Sequence, residues 1–417
     1  MHNDTIKLVI SIIFFSMVII MITVCTRVSS DNGGSKLGRI GNAMVFPGSD
    51  WETKTPESQG VDPSALTSAL DYLNAHAGGA GTFETVVVRN GYVIWKGSNV
   101  GNSHIIYSAT KTFTTTVLGV LIREGRISLD DYAVKYMPQL DDTYSHYGKI
   151  TIRQLASMTS GYSGIGYKGS TGGCWELYEG GRMAEYDRCV SLYTTPGTPD
   201  FQPGVSLAYN DAAVHVLGYI LTQIAGESLE DVFRKNIAIP IGITQFDWTD
   251  YGMKEFGSQR SILFNNPAGT PAGNLNGRET QGGVSINAED IARYGLLYLN
   301  RGNWNGQQII DSSFVNQALV NQVPALFGKG KDDAIPGRFG FMWWTNGTRW
   351  NGRRPMPDAP AGTAAARGAS VNFCFVIPEW NMVISRLSPP AQSGMPGFDD
   401  TVWNTFFKIL KKGISLT

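Results

Sequence analysis

Strand-forming sequence sits in two blocks near opposite ends of this chain, and that separation limits the available folds more than any other feature. Residues 83–88 and 92–95 are rich in β-branched and aromatic side chains and are joined through Arg89-Asn90-Gly91. Asn-Gly between two such runs is a strong short-range hairpin signal. Strand signals return only after position 335, at 339–344, 370–377 and 382–387, with Pro378-Glu379-Trp380-Asn381 turning between the last two. From about 126 to 275 helical and turn signals dominate. Further helices are expected after Asp62-Pro63, after the N-cap Asn287 as far as Leu299, and over 401–410. The pattern is an α/β core split by an α-rich region.

The N-terminus carries a hydrophobic run at 8–25, preceded by Lys7 and followed by Arg27. It is longer than a usual signal-peptide core and about as long as a minimal membrane span of about 17 residues. Residues 1–30 therefore read as a signal peptide or an uncleaved membrane anchor, and either places the folded mass outside the cytoplasm, as a periplasmic or secreted protein. Residues 31–50, rich in Gly, Ser and Asn, read as a flexible linker, with the folded domain over 51–417. The formal net charge is −1, with no basic stripe to neutralise phosphates, which excludes nucleic acid as an expected partner. Export permits disulfides, and Cys174 with Cys189 would close a short loop. Cys374 lies in an apolar run and reads as core packing. The five histidines are scattered and no H-E-x-x-H occurs, so no metal and no cofactor are expected. Gly164-Ile165-Gly166-Tyr167-Lys168-Gly169 matches G-x-G-x-x-G formally but lacks a preceding strand, and is set aside as a nucleotide site.

The chemistry begins at Ser108-Ala109-Thr110-Lys111. A hydroxyl and an amine three residues apart on a helix project from one face. Serine needs a base to become nucleophilic. Lysine can serve if neutral, but its unperturbed pKa of about 10.4 leaves only about one amine in a few thousand uncharged at pH 7. Burial would be required, and Phe113, Val117 and Leu118 make this helix apolar. An S-x-x-K is expected about once by chance in a chain of this length, so a capping serine and an exposed lysine remain the competing reading of this segment alone.

Further segments, in order, carry a resemblance. Gly125-Arg126-Ile127-Ser128-Leu129-Asp130-Asp131 follows the pair. Then come Thr151-Ile152-Arg153-Gln154-Leu155 with Thr159-Ser160-Gly161-Tyr162, and Pro203-Gly204 leading to Tyr209-Asn210-Asp211. Gly282-Gly283 and Asn303-Trp304-Asn305-Gly306 complete the series. From about 52 to 410 the chain resembles the serine hydrolases of the class C β-lactamase and penicillin-binding-protein superfamily. It is nearer the branch of 6-aminohexanoate-dimer hydrolases and esterases than true β-lactamases. The resemblance implies an α/β (α+β) fold: an antiparallel sheet flanked by helices with an inserted, mostly α-helical region, β-lactamase/transpeptidase-like. It implies Ser108 as the acylated nucleophile, Lys111 as its base partner and Tyr209 as the proton shuttle. Backbone N–H groups of Ser108 and Ala369 would form the oxyanion hole, with Asp211, Arg367, Gly368 and Tyr162 contacting substrate.

Two departures matter. Asp211 stands where the family carries an amide, and an ionised carboxylate accepts hydrogen bonds but donates none. The strand motif falls at Ala366-Arg367-Gly368, so the cation that β-lactamases use is missing or moved to Arg367, which disfavours β-lactam turnover. The leading expectation is an exported serine hydrolase acting on a small-molecule ester or linear amide. The alternatives are a D-amino-acid peptidase or DD-peptidase-like activity on cell-wall fragments, and a non-catalytic binding relative.

Overall fold

A computed structural model of the chain describes residues 44–138, 147–160, 203–204, 207, 209, 211–248, 280, 282–323, 338–349, 352–389 and 399–415. The N-terminal apolar run, Tyr162, Cys174 and Cys189 lie outside the described residues, as does all of the 161–204 stretch except Pro203 and Gly204.

The first helix, α1 (Pro63–His76), starts where Asp62 accepts hydrogen bonds from the backbone of Ser64 and Ala65. Strands β1 (Thr85–Arg89) and β2 (Tyr92–Lys96) follow, joined by Asn90 and Gly91 with φ of 55° and 88°. Both turn residues are left-handed, as the tight hairpin demands. The short strand β3 (His104–Ile105) leads through a 3₁₀ turn, Tyr107–Ala109, into α2 (Thr110–Arg123). The insert contributes α3 (Ile152–Ala156), α4 (Asp211–Ala225) and α5 (Leu229–Phe233), the last continuing through a wider turn, Arg234–Ala238, to Ile239–Ile241. After β4 (Phe246–Trp248) and β5 (Val284–Ile286) comes α6 (Ala288–Leu299). The hairpin β6 (Asn303–Trp304) and β7 (Gln307–Gln308) precedes α7 (Ser312–Ala318). The chain closes with β8 (Trp344–Thr345), β9 (Ala364–Gly368), β10 (Asn372–Ile377), β11 (Met382–Arg386) and α8 (Asp400–Leu410).

Among the described residues the main sheet has six strands in the order β2-β1-β11-β10-β9-β8, and every pairing in it is antiparallel. The N-terminal hairpin thus joins the C-terminal strands through β1 against β11, with Val87 opposite Ile384. Both faces are covered, so these strands read as continuous apolar runs rather than as alternations. Successive side chains still point to opposite faces. Val87, Phe373, Phe375 and Ile384 pack under α1 and α8 with Leu66, Leu70, Trp403, Phe406 and Phe407. Val86, Val88, Cys374, Val376 and Val383 face α6 and α2. Gly295 lets α6 approach closely, since a Cβ there would lie 2.7 Å from both Cys374 Sγ and Val383 Cγ1. Cys374 is buried and donates to the Ile291 carbonyl, and burial pushes its thiol up from its ordinary value.

Three expectations shift. A second, three-stranded sheet in the order β3-β5-β4 draws Phe246–Trp248 out of the α-rich region. Three residues are too short a run for alternation to declare a strand. The run at 339–344 contributes only its last residue to β8, because Met342 turns left-handed at φ 60° and Gly340 donates back to the Trp343 carbonyl. Finally, the end of the expected linker is packed. Val45 donates to the Asn90 carbonyl, Phe46 meets Trp304 edge-on, and Arg293 donates to the carbonyls of Gly48 and Ser49.

The start of α8 carries a buried charge cluster. Asp400 takes Arg338 at 2.8 Å, Arg367 at 3.0 Å and Arg349 at 3.1 Å. Burial alone would raise the Asp400 carboxyl, but Arg367 and Arg338, helped by Arg349, outweigh it and hold the group below its ordinary value. The folded chain therefore takes up this proton less readily than the unfolded chain. The stabilisation is complete above the unfolded carboxyl pKa of about 3.9 and is lost as pH falls through the lower folded value. Asp400→Asn should cost about 3–5 kcal/mol at neutral pH, by leaving buried guanidinium groups uncompensated, and should flatten the acid limb of stability against pH. Urea unfolding across a pH series measures both. In the core, Phe375→Ala should cost about 3–5 kcal/mol without altering the urea m-value.

Candidate active site

Tyr107, just before the nucleophile candidate, has a φ of 48°, a left-handed conformation that is strained for a bulky residue. Its neighbours hold the turn on both sides. Ile106 donates to the Val284 carbonyl at 2.8 Å, and Val284 donates back to Thr110 Oγ1 at 3.0 Å. The turn that carries Ser108 is thereby fixed to β5, just after Gly282-Gly283. Ser108 is half-buried and so within reach of a ligand, whereas Ala109 through Leu121 are buried.

Lys111 is 2% exposed, and its Nζ lies 3.0 Å from Ser108 Oγ. Protonated, the amine donates to the hydroxyl; neutral, it can accept the hydroxyl's proton across the same distance. Phe113, Val117 and Leu118 are all fully buried, as are Thr114 and Thr115, the residues one turn on from Lys111 on its own face of the helix. Tyr209, about a hundred residues later in the chain, comes to the same place: Lys111 Nζ sits 5.1 Å from the centre of its ring. The aromatic ring is set by Trp344, stacked at 5.7 Å, and by Phe339, edge-on at 6.1 Å. These two aromatics converge because of the Met342 turn described above.

The approach to Tyr209 is organised by the capped helix α3. Thr151 and Gln154 form a reciprocal capping box, and Gly204 donates to the Thr159 carbonyl at 2.7 Å. Gly204 has a φ of 84° and lies close to the Gln154 amide, so a side chain would be both strained and crowded there. Asp211 begins α4, but its side chain lies outside the described residues, as does Asn210.

Strand β9 closes the other side. A Cβ on Gly368 would lie 1.8 Å from the Ile106 carbonyl oxygen and 3.0 Å from the Ala109 nitrogen. Only glycine allows the strand end to approach the nucleophile turn so closely. Ala369 follows at once, half-buried, at the start of the β9–β10 turn. Ser108 lies in the first turn of its helical segment, where N–H groups lack intrahelical acceptors.

Arg367 is placed differently from the expectation of a substrate cation. It is buried, paired with Asp400, and lies 5.1 Å from the ring centres of both Trp344 and Phe373. The alternation of β9 explains this. Ala364 and Ala366 face the nucleophile side, whereas Ala365 and Arg367 belong to the face under α1 and α8. Burial lowers this guanidinium to about 10, which leaves it charged at neutral pH. Among the described residues, no group of three or more His, Cys, Asp or Glu side chains is placed to hold a metal, and no helix is long and apolar enough to cross a membrane.

Comparisons with known proteins place the fold among its relatives. Beta-lactamase-like protein 2 of Dictyostelium discoideum is 26% identical over 226 residues, which span 53% of this chain and 39% of that relative. The chain therefore spans well under half the length of this relative. The 6-aminohexanoate-dimer hydrolase of Paenarthrobacter ureafaciens is 24% identical over 315 residues, covering 70% of this chain and 71% of its own. Among solved structures, EstCE1, described as a hydrolase with promiscuous acyltransferase activity, shares the fold with a TM-score of 0.60 at 18% identity, covering 83% of this chain and 99% of its own. The Beta-lactamase family model matches residues 66–401, from α1 to the start of α8, and by that match this chain belongs to the Beta-lactamase family of hydrolases.

Proposed function

We propose that this protein is an exported serine hydrolase that cleaves an ester or linear amide through an acyl-enzyme on Ser108. The observation that carries the reading is the buried Lys111 amine, 3.0 Å from Ser108 Oγ and against the face of Tyr209. Burial is the condition under which a lysine can work as a base near neutral pH. Lys111, with Tyr209 beside it, takes the Ser108 proton as Oγ attacks the substrate carbonyl. The negative charge moves onto the carbonyl oxygen, where the N–H groups of Ser108 and Ala369 stabilise it. Fixed backbone donors of this kind are typically worth about 10²–10³ in rate each. Tyr209 then gives its phenolic proton to the departing alkoxide or amine while Lys111 returns a proton to the Tyr209 oxygen, and the acyl group remains on Ser108. Water attacks the ester by the same relay run in reverse, releasing the carboxylic acid and returning the proton to Ser108.

Export rests on the apolar run at 8–25, flanked by Lys7 and Arg27. Low β-lactam turnover rests on Ala366 at the first position of the strand motif and on the pairing of Arg367 with Asp400.

A fluorophosphonate probe should label the wild-type protein, and Ser108→Ala should abolish labelling. Labelling that survives this change would overturn the assignment of the nucleophile. Lys111→Ala should slow labelling by about 10²-fold or more, with the protein still folded by circular dichroism. A panel of short-chain aryl esters, linear aminoacyl amides, D-alanyl peptides and a chromogenic cephalosporin should show turnover of the first two classes. Hydrolysis of D-alanyl peptides alone would select a cell-wall peptidase instead. A folded wild-type protein that is neither labelled nor active on any of them is a binding relative.

A further inference from the structure

Asn372, Arg386 and Ser388 lie behind the β9–β10 turn, away from Ser108 and Tyr209 in the chain, and form one buried network. The turn is unusual in its backbone. Ser370 and Val371 have φ of 57° and 64°, and a β-branched residue in the left-handed region is a strained state that its surroundings must impose. Arg386, fully buried, imposes it. Its guanidinium donates to the Val371 carbonyl at 2.8 Å, to Gly81 at 2.9 Å and to Gly78 at 2.5 Å. Asn372, also fully buried, works one step nearer the site. Its amide donates to the Ala369 carbonyl at 2.7 Å and approaches that of Ile105 at 3.5 Å. Its oxygen accepts from the Ser388 backbone at 3.0 Å, which fixes which end of the amide faces the turn.

Along the chain, the carbonyls that Asn372 reaches lie in the peptide just after the one carrying the Ala369 N–H and in the second peptide before the one carrying the Ser108 N–H. Ala369 carries one donor itself. Ile105 precedes the Ile106–Ala109 turn that presents Ser108 and against which Gly368 is pressed. We propose that Asn372 and Arg386 are positioning residues that set the spacing between the Ser108 and Ala369 N–H groups. The proposal rests on the reading of Ser108 as an acylated nucleophile. Neither side chain touches substrate. Asn372 fixes the Ala369–Ser370 peptide, the one that follows the Gly368–Ala369 peptide carrying the donor N–H, and Arg386 keeps the strained turn from relaxing into a conformation that draws both peptides away from the Ser108 turn. An aspartate would not replace Asn372, because its carboxylate would face carbonyl oxygens with nothing to donate. Lysine would not replace Arg386, because three carbonyls in fixed directions call for a planar fork of donors.

The test uses full-length protein with Asn372→Ala and Arg386→Lys, a short-chain aryl ester as substrate, and an arylboronic acid that forms a tetrahedral adduct on Ser108. A displaced donor costs the transition state and leaves ground-state binding intact. Each variant should lose about 10- to 100-fold in kcat with KM within about twofold, and boronate affinity should fall by a similar factor. Thermal unfolding reports separately on any loss of stability. If kcat and boronate affinity stay within about threefold of wild type while the melting temperature falls, the network is structural only and the proposal is overturned. A rise in KM at unchanged kcat overturns it as well. If Asn372→Ala does not fold, Arg386→Lys decides by the same criteria. Wild-type labelling at Ser108 separates the two levels: labelled wild type with unaffected variants refutes the positioning role alone, whereas wild type that is neither labelled nor active refutes the hydrolase reading with it.

Discussion

The close approach of strand β9 to the Ser108 turn is the constraint on which the site depends. Backbone meets backbone at Gly368, with no room for a methyl group between that residue and the Ile106 carbonyl. Because β9 is paired to β10 and β10 to β11, the turn is held against the sheet core rather than against a mobile loop. On its other side the turn is locked to β5 by the reciprocal bonds of Ile106, Thr110 and Val284. A strained residue such as Tyr107 persists only when the structure around it leaves no alternative. Here two sheets supply that restraint from opposite directions.

Burial then gives the lysine its chemical meaning. An exposed lysine three residues from a serine is a common accident, and its amine is protonated and hydrated. Lys111 is buried, lies against the Tyr209 ring and places its amine 3.0 Å from Ser108 Oγ. Tyr209 is held in turn by Trp344 and Phe339, and Trp344 lies against the guanidinium groups of Arg338 and Arg367, which share Asp400. The charge cluster at the start of α8 is thus continuous, through one indole ring, with the aromatic wall of the site. Its arginines serve the wall and the core.

Much of the fold was legible because it rests on local signals. The Asp62 and Asn287 caps and the Asn90-Gly91 hairpin each bring their own hydrogen-bond partners within a few residues, and each forms as its sequence implies. The Ser108–Lys111 pair was legible for the same reason, since helical spacing alone brings the two together. Less legible were the strand Phe246–Trp248, which is defined by its pairing with β5, and the curl at Met342, which depends on the carbonyls and rings it meets. The packing of residues 44–50 was hidden by their Gly- and Ser-rich context, although Arg293, far along the chain, supplies the donors that hold them.

The amino-acid sequence by itself determined the split α/β plan, the placing of a serine and an amine three residues apart at the start of a helix, and the presence of a tyrosine in a Pro-Gly context. All of these rest on periodicity, capping or short spacing, which need no distant partner. Tertiary structure alone decided that Lys111 is enclosed, that Tyr209 lies over it, and that Arg367 turns to Asp400 under the far face of the sheet. It also decided that Asn372 and Arg386 stand behind the turn carrying Ala369. These depend on which strand lies beside which and on which side chains reach across them. The residues involved are separated by tens to hundreds of positions, so no local pattern records their contact.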